Sequence, residues 1–280
     1  MAGSVVFFVA MNNIVKYLSL PSEEKVFWRM IAGVITVLVA VRLRFAKREF
    51  NNLTLLIMRG VFGAAAVMTY FYAIDNTTLG RATFFQFTYP AWSSLFSALF
   101  LKERLGWRRA AVLAVMFAGA ALILVSPKAG GQSHVAGDFA GILCGLCSGA
   151  AVTTIRGLHR TDTTWMIFLF FSMFSSAAGI ATSGIRHNYV SPTSFQWLVV
   201  LAMAVTGTLA QLTFTASYRY LDVTAAGAMA MMQAPLSALT AYFFFNESLS
   251  SRAMFGAALV LGGGIFLAST SKGEMLRPSE

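Results

Sequence analysis

Glutamines and hydroxyls recur at helical spacing inside apolar stretches of this chain. Gln86, Tyr89, Ser93 and Ser97 form one set, Thr208, Gln211 and Thr215 a second, and Gln233, Ser237 and Thr240 a third. Steps of three and four residues put each set on one helix face. Such side chains exchange hydrogen bonds and rarely do covalent chemistry, so what they offer is recognition of a polar ligand. Tyr70 and Tyr72 in "TYFYAID", and Asn12, Asn13 and Lys16 near the start, add polar groups in apolar surroundings. The substrate-binding candidates are therefore Asn13, Lys16, Tyr70, Gln86, Tyr89, Ser93, Gln211 and Gln233. For any one of them an interhelical hydrogen bond is an equally good reading. The convergence of Gln86, Tyr89, Gln211 and Gln233 favours a ligand. Lys16 could meet a substrate carboxylate or pair with Asp75. Phe84, Phe85, Phe87, Met229, Met231 and Met232 could supply an adaptable apolar lining or face lipid. Arg29 and Arg59 read as anchors that snorkel from the ends of their helices.

The chemistry that is absent narrows the field. All eleven acidic residues fall in loops or at helix ends, as do His134, His159 and His187. A proton relay needs an acid or histidine within the apolar layer, so facilitated diffusion or exchange is expected rather than tight proton coupling. No Ser/His or paired-Asp constellation can be assembled, which argues against an enzyme. No metal or cofactor is expected. "CGLC" at Cys144–Cys147 has the spacing of a redox pair but lies in a Gly- and Ala-rich apolar run, where close helix packing is the better reading.

These residues must be positioned by a membrane fold. The chain is 57% hydrophobic and 11% charged, against about 25% charged in an ordinary soluble domain. Ten apolar runs are long enough to span a bilayer as helices, at about 3–20, 26–43, 53–74, 82–101, 109–126, 138–157, 164–185, 195–218, 225–245 and 252–271. The first begins almost at the initial methionine, as if a few residues preceded it, and lacks the basic flank of a signal peptide. The formal charge of +10 sits in short clusters between these runs rather than on one polar face. That pattern fits anchoring to a cytoplasmic leaflet and its lipid, with no nucleic-acid partner expected. With both termini cytoplasmic, thirteen of the 21 Lys and Arg lie in cytoplasmic segments and five in outer ones.

One sentence is written twice. "TYPAWSSLFSALFLKERLGWRR" and "QAPLSALTAYFFFNESLSSR" each carry a proline, an apolar stretch, Glu-x-Leu and a later arginine. Five spans per copy is an odd number, so the second copy enters the membrane inverted, which explains why the first loop is basic and the second nearly neutral. Secondary transporters commonly use this architecture; a scaffold, or a lipid-handling protein with a duplicated ancestry, is the alternative. The expected fold is an all-α membrane protein of ten transmembrane helices, two inverted five-helix repeats around a central cavity. The repeats cover 1–127 and 137–271, joined by a linker over 128–136 and followed by a cytoplasmic tail over 272–280. Pro90 and Pro235 are expected to kink the fourth and ninth helices as hinges, freeing the carbonyls of Gln86 and Met231. Gly119, Gly256 and Gly262–Gly264 suggest close contacts of helices five and ten, a candidate homodimer face.

The stretches "RGVFGAAAVMTYFYAIDNTTLGRATFFQFTYP" with "LKERL", and "ASYRYLDVTAAGAMAMMQAP" with "NESL", resemble the EamA-type members of the drug/metabolite transporter superfamily. The resemblance spans nearly the whole chain. It implies export of small metabolites across a bacterial inner membrane, with the YddG-like amino-acid exporters and the S-adenosylmethionine carriers as the branches to consider first, which no motif here separates. Amino acids, aromatic and hydrophobic ones included, are the cargo it implies first.

Overall fold

A computed structural model describes residues 1–45, 50–100, 107–125, 135–159, 161–186, 190–220, 230–247 and 250–275. The basic loop over 101–106, most of the expected linker, Met229 and the end of the tail lie outside the described residues, as does the side chain of Ser97. Every regular element among the described residues is a helix: α1 (Ala2–Tyr17), α2 (Ser22–Arg42), α3 (Leu53–Asn76), α4 (Leu79–Gln86), α5 (Tyr89–Phe100), α6 (Trp107–Val125), α7 (Val135–Leu158), α8 (Thr164–Arg186), α9 (Ser194–Tyr220), α10 (Gln233–Phe245) and α11 (Ser251–Met275).

Local sequence accounts for the helix ends. Glu23 and Glu24 occupy the first turn of α2, where the helix dipole favours negative charge. The Asn52 side chain accepts from Leu55 N at 3.2 Å to cap α3, and Thr78 Oγ1 accepts from Arg81 N at 3.3 Å to cap α4. Asn246 adopts a left-handed conformation (φ 52°) and ends α10.

Four described helical segments are long and apolar enough to cross a bilayer: Leu53–Asn76, Val135–Ile155, Thr164–Ile185 and Ser194–Ser217; Ala110–Ile123 and Ser251–Phe266 are shorter apolar helices. The other expected spans differ for identifiable reasons. α1 has 16 residues, and α2 includes Glu23, Glu24, Lys25, Arg29 and Arg42. The fourth is divided into α4 and α5. Large apolar side chains face outward, as along α9 with Leu198, Leu201, Val205 and Leu209. An outward apolar stripe at helical spacing suits lipid rather than water. The protein is a multi-pass membrane protein.

The helix contacts come in matching pairs. α3 packs on α7 and α1 on α9; α3 on α8 and α2 on α9; α2 on α3 and α8 on α9. The broken span α4/α5 packs on α7, and α10 packs on α1. Between α6 and α11, a Cβ at Gly119 would lie 2.7 Å from the Gly256 carbonyl oxygen. The glycine contact expected of helices five and ten is thus used within the chain.

Candidate functional site

A cavity of about 110 Å³ lies among the helices. Five of the expected residues line it: Tyr70 from α3, Gln86 and Tyr89 from the two sides of the α4/α5 interruption, Gln211 from α9 and Gln233 at the start of α10. Phe8 and Met11 of α1, Phe87, Phe171 of α8 and Phe214 of α9 give it an apolar wall. Met231 and the ring of Phe85 are buried in the core, whereas Met232 is exposed. The Tyr70 hydroxyl is 3.2 Å from Thr83 Oγ1. Gln86 Oε1 and Gln233 Nε2 are buried with no hydrogen-bond partner among the described residues. A buried amide group left unpaired costs on the order of 1–3 kcal/mol, which a ligand group could recover.

The prolines act differently from the expected kink. The fourth span is interrupted at Phe87–Thr88, and Pro90 is the second residue of the new helix α5. Pro235 is the third residue of α10, which follows a turn at Met232. In a first turn the missing proline N–H has no intrahelical acceptor to satisfy, so each proline starts a helix rather than bending one. Thr88 closes the interruption by donating from Oγ1 to the Phe85 carbonyl oxygen at 2.7 Å. Helix α7 receives this corner through glycine: a Cβ at Gly145 would come within 2.6 Å of the Phe85 oxygen, and one at Gly149 within 2.6 Å of Trp92 Cβ. Cys144 and Cys147 are buried beside these glycines as free thiols, in keeping with the packing reading of "CGLC". The repeat of Gly137, Gly141, Gly145 and Gly149 at four-residue spacing is the sequence signal for this groove.

Three expected site residues lie outside the cavity, held by protein partners. Asn13 Nδ2 donates to Thr240 Oγ1 at 2.9 Å, and Ser93 Oγ lies 3.1 Å from Thr153 Oγ1. Lys16 donates to the carbonyl oxygens of Ile74 and Thr77 at 2.9 and 2.8 Å and pairs with Glu247 at 3.2 Å. The expected alternative partner, Asp75, instead binds Lys25 and accepts from Ser22 Oγ at 2.6 Å. Arg81 holds Asp138 through two bonds, Nε to Oδ1 at 3.0 Å and Nη2 to Oδ2 at 2.8 Å, and Thr77 adds a third at 2.9 Å. Glu247 Oε2 accepts from Leu79 N at 2.8 Å. These bonds gather the last turns of α1 and α3, the first turns of α2, α4 and α7, and the segment after α10. One face of the bundle is closed by ion pairs.

The reading of Arg29 and Arg59 as snorkelling anchors is reversed. Both are 4% exposed and both line the cavity. Each lies about 10 Å in from the start of its helix at 1.5 Å per residue, within reach of either water or the interior, and packing sent them inward.

The EamA-like transporter family matches residues 1–125 and 135–269. The pseudopaline exporter CntI of Pseudomonas aeruginosa is 28% identical over 269 residues, covering 95% of this chain and 93% of that protein. The S-adenosylmethionine uptake transporter of Rickettsia conorii is 24% identical over 282 residues, covering 99% and 94%. A crystal structure only 19% identical in sequence matches with a TM-score of 0.68, covering 98% of this chain and 96% of the other, a likeness of fold.

Proposed function

The chain belongs to the EamA-like transporter family, and from that premise we propose that it exports small amphipathic metabolites, amino acids with apolar or aromatic side chains among them, by alternating access. It is a transporter rather than an enzyme. The observation that carries the cargo reading is the cavity where two helix interruptions meet, with Gln86 beside one and Gln233 beside the other. Orphaned amides next to aromatic walls suit a ligand with a polar end and an apolar body.

Two inverted five-helix repeats, over 1–127 and 137–271, account for the paired helix contacts. Exchanging α1, α2, α3, α4/α5 and α6 for α7, α8, α9, α10 and α11 carries each of the pairs above into another or into itself. The surplus of basic residues supports cytoplasmic termini in a bacterial inner membrane. In that orientation the ion-paired face points outward, and it must open to release cargo. The described cavity lining has neither carboxylate nor histidine, which supports facilitated diffusion or exchange. S-adenosylmethionine is a second reading, favoured by the relatives named for its uptake; its sulfonium cation would have to sit near Arg29 and Arg59.

Purified protein in liposomes, tested for counterflow with labelled L-phenylalanine, L-leucine and S-adenosylmethionine, decides among these. Stimulated flux of the amino acids is expected; flux of S-adenosylmethionine alone would overturn the amino-acid cargo. For orientation, a cysteine in the Lys128–His134 loop should react with an impermeant maleimide in intact cells, and one at Arg108 should not. The reverse pattern overturns it.

A further inference from the structure

The cavity holds two cations that no described group neutralises. Neither Arg29 nor Arg59 forms an ion pair among the described residues, and Arg59 Nε has no hydrogen-bond partner. Aromatic faces are their neighbours: the Arg29 guanidinium carbon lies 5.5 Å from the centroid of Phe71, and that of Arg59 lies 4.3 Å from that of Phe171. Cation–π contact offsets only part of the cost of burying a guanidinium. By contrast, Arg81 and Lys25 are buried too, and each has a carboxylate. Two buried, uncompensated arginines in the same cavity need an external source of negative charge.

Their separation sets how many anionic groups are required. The Lys25–Asp75 pair ties the first turn of α2 to the last turn of α3, so the two helices run antiparallel in fixed register. Arg29 lies over Phe71, and Arg59 reaches forward along α3 to Gly63, where a Cβ would collide with its Nη1. Phe71 and Gly63 are both on α3, eight residues apart, roughly 12 Å along the axis. Guanidinium groups anchored at levels of α3 that far apart call for two anionic groups rather than one.

We propose that the ligand of this cavity is an elongated amphipathic dicarboxylate, with one carboxylate on Arg29, the other on Arg59 and an apolar middle against Phe87 and Phe214. The inference rests on the transporter reading and narrows its cargo. A simple zwitterionic amino acid fits less well, because it leaves one arginine bare and brings an ammonium that no carboxylate in the described lining receives. A guanidinium presents a planar fork that matches a carboxylate with two parallel hydrogen bonds.

Binding to the purified protein in detergent, with octanedioate, octanoate, butanedioate and L-phenylalanine as probes, tests this directly. Octanedioate should bind at least about tenfold more tightly than octanoate, the size of effect one charge-assisted hydrogen bond supplies. Butanedioate, which just reaches both arginines but lacks the apolar middle, should bind more weakly than octanedioate. Arg29→Met and Arg59→Met should each reduce octanedioate to the affinity of octanoate, with an unliganded melting temperature unchanged or raised because a buried lone cation is gone. Arg29→Lys and Arg59→Lys should keep part of the preference. The proposal is overturned if wild type treats octanedioate and octanoate alike, or if the Met variants melt earlier while keeping the preference. Counterflow in liposomes separates this from the broader reading. Flux of L-phenylalanine without octanedioate overturns the dicarboxylate alone, flux of octanedioate without amino acids overturns only the amino-acid cargo, and no flux of either overturns transport of both.

Discussion

The ion-paired face and the cavity both hold cationic side chains, in opposite states. On the face, Lys16, Lys25 and Arg81 each have a carboxylate within 3.2 Å, and backbone groups complete the bonding. In the cavity, Arg29 and Arg59 have aromatic rings, and Gln86 and Gln233 have orphaned atoms. The difference teaches where each charge is answered. The face is neutralised by the chain itself and the described cavity lining is not, so in the proposed cycle the first serves as gate and the second as binding site. Alternating access requires both, because a gate must be stable when shut and a site must not be satisfied when empty.

The largest effect should come from breaking the paired side. Asp138→Asn leaves the Arg81 guanidinium buried without its counter-charge, with an expected loss of about 3–5 kcal/mol in unfolding free energy. Denaturant titration in detergent measures it, and an unchanged midpoint would erase the contrast drawn above. Next comes the groove that seats the helix interruption. Gly145→Leu forces a side chain into Thr88 and Phe85, with an expected cost of about 1–3 kcal/mol and loss of counterflow. Wild-type transport by that variant would detach the interruption from function.

Smaller effects sharpen the cavity side. Gln86→Ala and Gln233→Ala should weaken substrate binding by roughly 1–3 kcal/mol, read as a raised KM at controlled expression with little change in melting. A raised melting temperature with unchanged KM would make these glutamines packing residues. Pro90→Ala and Pro235→Ala should shift stability least, within about 1 kcal/mol, because each proline sits in a first turn. The restored N–H lets the preceding helix read through the interruption, so turnover should change more than affinity. Wild-type turnover in both variants would overturn the proposed hinge role.

Much of this site was legible in the sequence. Tyr70, Gln86, Tyr89, Gln211 and Gln233 stood out because a polar side chain inside an apolar span must face a partner or a cavity, and all five line one. The same rule could not separate cavity from partner for Asn13, Lys16 and Ser93. Glu247, the partner of Lys16, lies over two hundred residues further along, and local periodicity carries no information about which helices meet. The prolines were visible, yet a proline reads alike as a mid-helix kink and a first-turn residue until the helix start is known. Arg29 and Arg59 were misread for a related reason, since from about 10 Å inside a span a flexible side chain can turn either way.

What the sequence alone determined is what hydrophobicity and covalent order dictate residue by residue: apolar helical runs, their polar stripes, a motif written twice, and a surplus of basic charge in alternate loops. These are local or additive properties, and bilayer energetics act on them directly. Only the tertiary structure decided which charges are paired and which are left open, where a span breaks, and that two arginines share one cavity. Those outcomes depend on contacts between helices far apart in the chain, where the low dielectric makes a paired charge tolerable and an unpaired one a demand for a ligand.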